Sequence, residues 1–252
     1  MPKFVCLIPC RLNSRRLPNK ALLPIGPLTL IETVYWNTVK AVSRSSINAD
    51  VFVCTDSPDI EQVLLKSNIN YLMTKDTHTN GTERIAEAFA RYNLQYDYII
   101  DVQGDEPFVT ESMISLVADS ISSYPPIEPH IVLPHQVINE DEASRSSIVK
   151  VVSDIYGRVL YLTRSSIPFT HRPWSTLTCP ATFKKHLSVI GFTSSALLLY
   201  PKLERSPLAV LEDIELLVAL EHAIPIHTKL SGESTFSIDT EEDLHKARLL
   251  LS

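Results

Sequence analysis

Ile99-Ile100-Asp101-Val102-Gln103-Gly104-Asp105-Glu106-Pro107 is the stretch on which the fold turns. Residues 98–102 are short, apolar and β-branched, as a buried strand should be. Residues 103–106 then set an amide, a glycine and two acids at its carboxyl end. In open α/β sheets, ligands bind in the crevice outside the carboxyl ends of the strands. Asp105 is therefore placed to hold a hard cation such as magnesium, which prefers carboxylate oxygen and bridges to phosphate. Taken alone, the same residues also read as a surface turn, in which Gly104 supplies a positive φ and the acids are merely solvated. The surrounding chain separates the two readings.

On the amino-terminal side, strands alternate with loops and helices. Residues 4–9 form an apolar strand, and residues 11–20 a basic loop with no helical period. A helix over 30–42 has Thr29 as its N-cap. Strands follow at 50–55 and 70–73, separated by a helix that opens at Pro58 or Asp59 and runs to about residue 67. Asn80-Gly81-Thr82-Glu83 opens another helix, with an acid three residues after the cap. A further helix spans 111–122, after the central strand. Four strand–loop–helix passes mean a parallel sheet flanked by helices. The polar residues after the strands, 11–20, Asp56 and 103–106, should gather on one edge.

Tyr124-Pro-Pro-Ile-Glu-Pro129 breaks this pattern. Beyond it come a strand at 131–135, a hairpin of 148–152 and 159–163 turning at Tyr156-Gly157, and an irregular stretch at 168–180. A strand at 187–192, a helix over 208–223 and a strand at 225–230 follow. The last helix, 241–251, is capped by Asp239 or Thr240. The expected organisation is one domain over residues 1–252: a half at 1–123 and a more β-rich half at 124–252.

The length of 252 residues and a hydrophobic fraction of 44% suit one α/β domain with a large core. A net charge of −6 argues against non-specific nucleic-acid binding, which needs a basic field. No apolar run approaches the roughly 20 residues that span a membrane. The four cysteines form no CxxC pair, and a reduced cytoplasm is the simplest home. GxGxxG and GxxxxGK[ST] are both missing, which disfavours an NAD-dependent oxidoreductase and a P-loop enzyme.

Three constellations bear chemistry. Arg11, Ser14, Arg15, Arg16 and Lys20 crowd one loop of an acidic protein, a place for polyphosphate rather than a merely solvated basic loop. Asp105 and the distant Asp239 both follow strands. If those strands are neighbours, the two carboxylates could share a magnesium beside the basic loop, the equipment of phosphoryl or nucleotidyl transfer. A simple helix cap remains the alternative for Asp239. His78, Gly81, Thr82 and Arg84 lie at a helix start that could hold an anion or a base edge. Spacing alone gives no role to Arg164, His186 or Glu215.

With these residues in view, the chain resembles the 3-deoxy-manno-octulosonate cytidylyltransferase (CMP-KDO synthetase) family. The matching stretches run in the family's order: Ile8-Pro9-x-Arg11-x-x-Ser14-x-Arg16-Leu17-Pro18-x-Lys20, Thr55-Asp56, Gly81-Thr82-Glu83-Arg84, Val102-Gln103-Gly104-Asp105-Glu106-Pro107, Val149-Lys150-Val151-Val152, Arg164-x-x-Ile167-Pro168, His186 and Ile238-Asp239-Thr240. The resemblance implies an α/β fold of nucleotide-diphospho-sugar transferase type with a smaller β-rich dimerisation and sugar-binding portion, and a homodimer. It implies magnesium, CTP and a 3-deoxy-2-ulosonic acid, with the anomeric hydroxyl attacking the α-phosphate and pyrophosphate leaving, in the service of lipopolysaccharide or another surface polysaccharide. It assigns Arg11, Ser14, Arg16 and Lys20 to the triphosphate, Asp105 and Asp239 to magnesium, residues 78–84 to the cytidine, and Gln103, Arg164, His186 and Glu215 to the sugar acid. Lys20, Asp105 and Asp239 would carry the catalysis.

The departures from the family pattern are Ser147, Ser188, Ile190, Phe192, Thr193, Leu216 and Val218, where the family has an asparagine, a glycine, a tyrosine, a second tyrosine, an arginine, a glutamine and an arginine. All these changes fall in the half that the resemblance gives to the sugar. Losing hydrogen-bonding groups there suggests a different sugar, so the expected substrate is KDO or a modified KDO such as 8-amino-KDO. The rival readings are a CMP-nonulosonate (sialate-like) synthetase and a non-catalytic nucleotide-binding module.

Overall fold

A computed structural model describes residues 2–12, 16–169, 171, 183–233 and 235–251. The first strand, β1 (Phe4–Cys10), is buried along its whole length. Such a strand, covered on both faces, reads as a continuous apolar run. Two two-residue strands, β2 (Pro24–Ile25) and β3 (Leu28–Thr29), make a small ribbon before α1 (Leu30–Arg44). Thr29 caps α1 in a reciprocal box with Glu32, as expected. Then follow β4 (Ala49–Thr55), α2 (Pro58–Lys66), β5 (Tyr71–Met73), α3 (Gly81–Arg91), β6 (Tyr98–Val102) and α4 (Glu111–Ile121). β1 pairs in parallel with β4 and β6, and β4 with β5, so the order β5–β4–β1–β6 is parallel throughout.

The second half continues the same sheet with mixed directions. Its elements are β7 (Ile131–Ile138), α5 (Glu140–Ser144), β8 (Lys150–Ser153), β9 (Val159–Thr163), β10 (Phe183–His186), β11 (Val189–Thr193), α6 (Ser194–Leu199), α7 (Pro207–Glu212), α8 (Leu216–Glu221), β12 (Ile226–Leu230) and α9 (Glu241–Leu251). β11 runs antiparallel beside β6. One edge of β7 takes β11 and then β10, and its other edge takes β12 in parallel. The β8–β9 hairpin joins through β10 and curls back until Thr228 N–H donates to the Gly157 carbonyl at 2.7 Å.

Side-chain alternation splits the core into two layers. Phe4, Cys6 and Ile8 face α1, α2, α4 and α9, whereas Val5 and Leu7 face α3, α6 and α8. Among the described residues, no helix is long and apolar enough to cross a membrane.

Three expectations need correction. The helix read over 208–223 is two short helices, α7 and α8, broken at Asp213 with φ 51°. The break is pinned from outside, because Arg164 Nε and Nη2 donate to the carbonyls of Glu212 (2.7 Å) and Asp213 (3.1 Å). Strand β10 was missed, its charged Lys184-Lys185 masking the pattern. Gly104 is not in the positive-φ region; its reason is close approach, described below. The irregular stretch 168–180 lies largely outside the described residues.

Helix α4 packs across β11 at Gly191, where an added Cβ would sit 2.8 Å from Val117 Cγ1 and 3.2 Å from Ile121 Cβ. Gly191→Ala is expected to destabilise the fold by about 1–3 kcal/mol, the usual cost of overpacking. A urea midpoint that falls with an unchanged m-value checks this.

Candidate active site

The carboxyl ends of β1 and β6 lie side by side, so the loops after them meet. Gly104 makes this possible: a Cβ there would come within 2.5 Å of the Pro9 carbonyl oxygen. A third segment, residues 235–240, is stitched on from the far end of the chain. Ile238 N–H donates to the Asp105 carbonyl at 2.9 Å. The buried Glu106 carboxyl receives the hydroxyls of Thr235 and Ser237. Burial pushes the Glu106 carboxyl up to about 7, and the two hydroxyls offset part of that rise.

These links bring Asp105 and Asp239 to one cation. Lys20 Nζ donates to Asp105 Oδ2 at 2.6 Å and to Asp239 Oδ1 at 3.1 Å. Arg16 reaches the same Asp239 oxygen at 2.8 Å. Burial alone would lower the Lys20 pKa, but the two carboxylates outweigh it and hold the ammonium charged. Lys20 heads a single 3-10 turn anchored by the buried Leu17, whose carbonyl receives Lys20 N–H at 3.2 Å. The helix-cap alternative for Asp239 fails, since Thr240 makes the cap: Asp243 N–H donates to Thr240 Oγ1 at 3.2 Å. The Asp239 side chain is thereby left to Lys20 and Arg16.

Two cavities of about 260 and 650 Å³ open on this cluster and share Arg11, Arg16, Gly81, Gln103, Asp105 and Asp239 in their walls. The smaller also touches His78 and Arg84; the larger extends past Arg164, His186, Ser188, Lys185 and Glu215. Ser14 lies outside the described residues. Gly81 heads α3, with Asn80 as its cap accepting from Glu83 N–H at 2.8 Å. A Cβ on Gly81 would press on Pro9 at 3.1 Å.

The other expected residues take more particular places. The Arg84 guanidinium is buried, donating to Thr74 Oγ1 at 2.6 Å and pairing with Asp56 at 3.3 Å, so it ties the ends of β4 and β5 to α3. His78 Nε2 bonds Glu87 at 2.6 Å. Thr82 is buried, and its amide N–H donates to Glu215 Oε2 at 3.1 Å. Burial raises the Glu215 carboxyl, and the Thr82 amide holds part of that rise back. Burial and the Lys185 charge push the His186 imidazole down to about 4, so it is neutral at pH 7. Arg164 lines the larger cavity, but much of its guanidinium is engaged: besides the two carbonyls above, Nη1 donates to Ser146 at 3.0 Å.

Three of the family departures, Thr193, Ile190 and Phe192, are not at the site; Phe192 is a buried core residue opposite Ile99. Thr193 lies opposite Tyr98, at the far end of β6, where it caps α6. Ile190 is a buried core residue opposite Asp101 and lines neither cavity. Ser147, Ser188, Leu216 and Val218 do line the larger cavity. Lys185 and Lys246 also line it and were missed; strand β10, which positions Lys185, has no alternating pattern to reveal it. Asp101 was missed as well, although an acid inside an apolar strand is a visible signal.

A family model described as cytidylyltransferase matches residues 5–228. The 3-deoxy-manno-octulosonate cytidylyltransferase of Herminiimonas arsenicoxydans is 34% identical over 252 residues, covering 97% of each chain. That of Protochlamydia amoebophila is 32% identical over 247 residues, covering 97% of this chain and 92% of its own. The solved CMP:2-keto-3-deoxy-manno-octonic acid synthetase complexed with CTP superposes with a TM-score of 0.87 at 30% identity, covering 99% of this chain and 98% of that one. A glucose-1-phosphate thymidylyltransferase structure from Bacillus anthracis, at 13% identity and a TM-score of 0.65, shares the fold.

Gly104→Ala is expected to push Asp105 away from Lys20 and to cut turnover by about 100-fold, the scale of a 1 Å misplacement at a catalytic centre. Steady-state kinetics beside a thermal melt check that activity falls well ahead of stability.

Proposed function

The chain belongs to the cytidylyltransferase family, and from that premise we propose that it joins CTP to 3-deoxy-manno-octulosonate. The sugar's anomeric hydroxyl attacks the α-phosphate, a new P–O bond forms, the bond to the β-phosphate breaks, and pyrophosphate leaves. The single observation that bears most weight is the shared grip of Lys20 on Asp105 and Asp239, at 2.6 and 3.1 Å, with Arg11 and Arg16 on the same cavity walls. Phosphoryl chemistry asks little covalent work of a protein; it asks for positioning and neutralised charge. Arg11, Arg16 and Lys20 would hold the triphosphate, with Ser14 assigned there by resemblance. The wall from His78 to Arg84 would hold the cytidine. Residues 1–123 then serve the nucleotide, and residues 124–252 the sugar acid.

The residues present fit magnesium. Asp105 and Asp239 offer carboxylate oxygens gathered around one cation, but among the described residues no group of three or more acids, histidines or cysteines could hold a metal alone. Magnesium ordinarily takes one or two carboxylates and completes its shell with phosphate oxygens and water. When bound, it would neutralise phosphate charge and fix the geometry of the transfer. The chain's own part is to hold the two carboxylates together and keep Lys20 charged beside the phosphates.

On the sugar side, Gln103, Arg164, His186, Ser188, Lys185 and Glu215 surround the larger cavity. Since Ile190, Phe192 and Thr193 lie elsewhere, the case for a modified octulosonate rests on Ser147, Ser188, Leu216 and Val218. The relatives' names carry the unmodified acid, which is the proposed substrate. The proposed setting is the reducing cytoplasm, in keeping with free, buried thiols at Cys6, Cys10 and Cys54. A homodimer is proposed too. Ile155, Tyr156 and Leu160 stand exposed on the β8–β9 hairpin, an apolar surface suited to a second copy.

Purified protein should release pyrophosphate from CTP only when an ulosonic acid and a divalent cation are present. Turnover should favour the eight-carbon acid over its 8-amino form and over nine-carbon acids; release with no acid of the panel would contradict the proposal. Asp105→Ala and Asp239→Ala should each lower kcat by at least about 100-fold, and EDTA should abolish turnover reversibly. In sedimentation, Ile155→Lys should shift the protein from dimer to monomer.

A further inference from the structure

Asp101 is fully buried in the middle of β6, a place where a carboxyl needs a reason. Its strand neighbours in register are Leu7 on one side and Ile190 on the other. It lies on the sheet face that carries Ile99 and lines neither cavity, whereas Gln103, two residues on, lines both. Of its two oxygens, Oδ2 accepts from Gln103 Nε2 at 2.8 Å, while Oδ1 has no hydrogen-bond partner. Burying such a group is expensive, and replacing it by an apolar residue of similar shape is often neutral or stabilising. A fold with no use for it would do better with a leucine.

The group that benefits is Gln103. Its side-chain amide can turn either end toward the cavity, and the two ends are opposite in hydrogen-bonding character. With Nε2 engaged by Asp101, Oε1 is left beside Gly81, where an added Cβ would meet it at 3.4 Å. Glu215, on the same cavity wall, is also an acceptor, and its neighbours Ile214, Leu216 and Val218 offer no side-chain donor. We propose that Asp101 is a positioning residue that fixes the Gln103 amide with its oxygen toward the cavity. The wall shared by Gln103 and Glu215 thereby recognises the part of the sugar acid that donates hydrogen bonds, its hydroxyl groups.

This inference rests on the cytidylyltransferase reading above. Glu215 and Asp105 are the charged groups facing Asp101. Burial first, and then the Glu215 charge, hold the Asp101 carboxyl well above the usual range, with the Gln103 N–H pulling it back in part. An acid raised in the folded state costs stability as pH climbs from its unfolded value toward its folded one.

Asp101→Asn keeps the shape but lets the amide at 103 bond in either orientation. Steady-state kinetics and thermal melts on the full-length wild type, Asp101→Asn, Gln103→Ala and the double variant test the idea. The expected result is a KM for the sugar acid raised about tenfold, the scale of one hydrogen bond, with kcat and the KM for CTP within about twofold. The melting temperature should hold or rise, with the gain larger at pH 8 than at pH 5. In the Gln103→Ala background, Asp101→Asn should change the KM no further, since the two residues act as a unit. Additive effects of the two changes, or a lowered melting temperature with every kinetic constant impaired alike, would overturn this inference alone. Absence of wild-type turnover with CTP and any ulosonic acid would overturn the underlying reading, and this inference with it.

Discussion

One ammonium group between two carboxylates organises the molecule. Lys20 meets Asp105 and Asp239, residues 85 and 219 positions away in sequence. Two carboxylates brought this close repel each other, and a cation between them offsets that repulsion. The fold brings them together by other means: the backbone bond from Ile238 to Asp105, and the hydroxyls of Thr235 and Ser237 on Glu106. Lys20 then makes the arrangement electrostatically tolerable. On the proposed function, a stronger cation and phosphate would meet charges already fixed in place.

The sheet serves this cluster through its close approaches. Gly104 allows the β6 loop to lie against the end of β1. Thr240 takes over the capping of α9 and frees Asp239. The parallel first half supplies the strand ends at which Arg11, Arg16, Lys20, Gln103 and Asp105 gather. The mixed second half closes a polar cavity lined by Lys185, His186 and Glu215. The burial of Asp101 belongs to the same pattern, in which local stability is given up where the site needs an oriented group.

Much of this was legible in the sequence. The period of the first 120 or so residues gave its strands and helices, and the caps at Thr29 and Asn80 lie where turn chemistry puts them. The meeting of the basic loop with Asp105 and Asp239 followed from strand ends and from resemblance. What was not legible depends on tertiary contacts. The continuous helical pattern over 208–223 gives no sign that Arg164, just past the end of β9, would take the carbonyls of Glu212 and Asp213 and break it. Strand β10 is held by pairing with β7 rather than by its own composition. Position along a motif likewise could not tell that Thr193 and Ile190 face away from the site, because an antiparallel strand sends alternate residues into the core and its far end away from the cavity.

The most direct test of the central electrostatic claim is a thermal melt of Lys20→Met against wild type while magnesium is titrated in, with no nucleotide present. The account predicts that the variant is less stable than wild type without magnesium, because two carboxylates are left without their cation. It should then recover several degrees as magnesium reaches millimolar levels, while wild type gains less. A variant as stable as wild type and indifferent to magnesium would contradict the account.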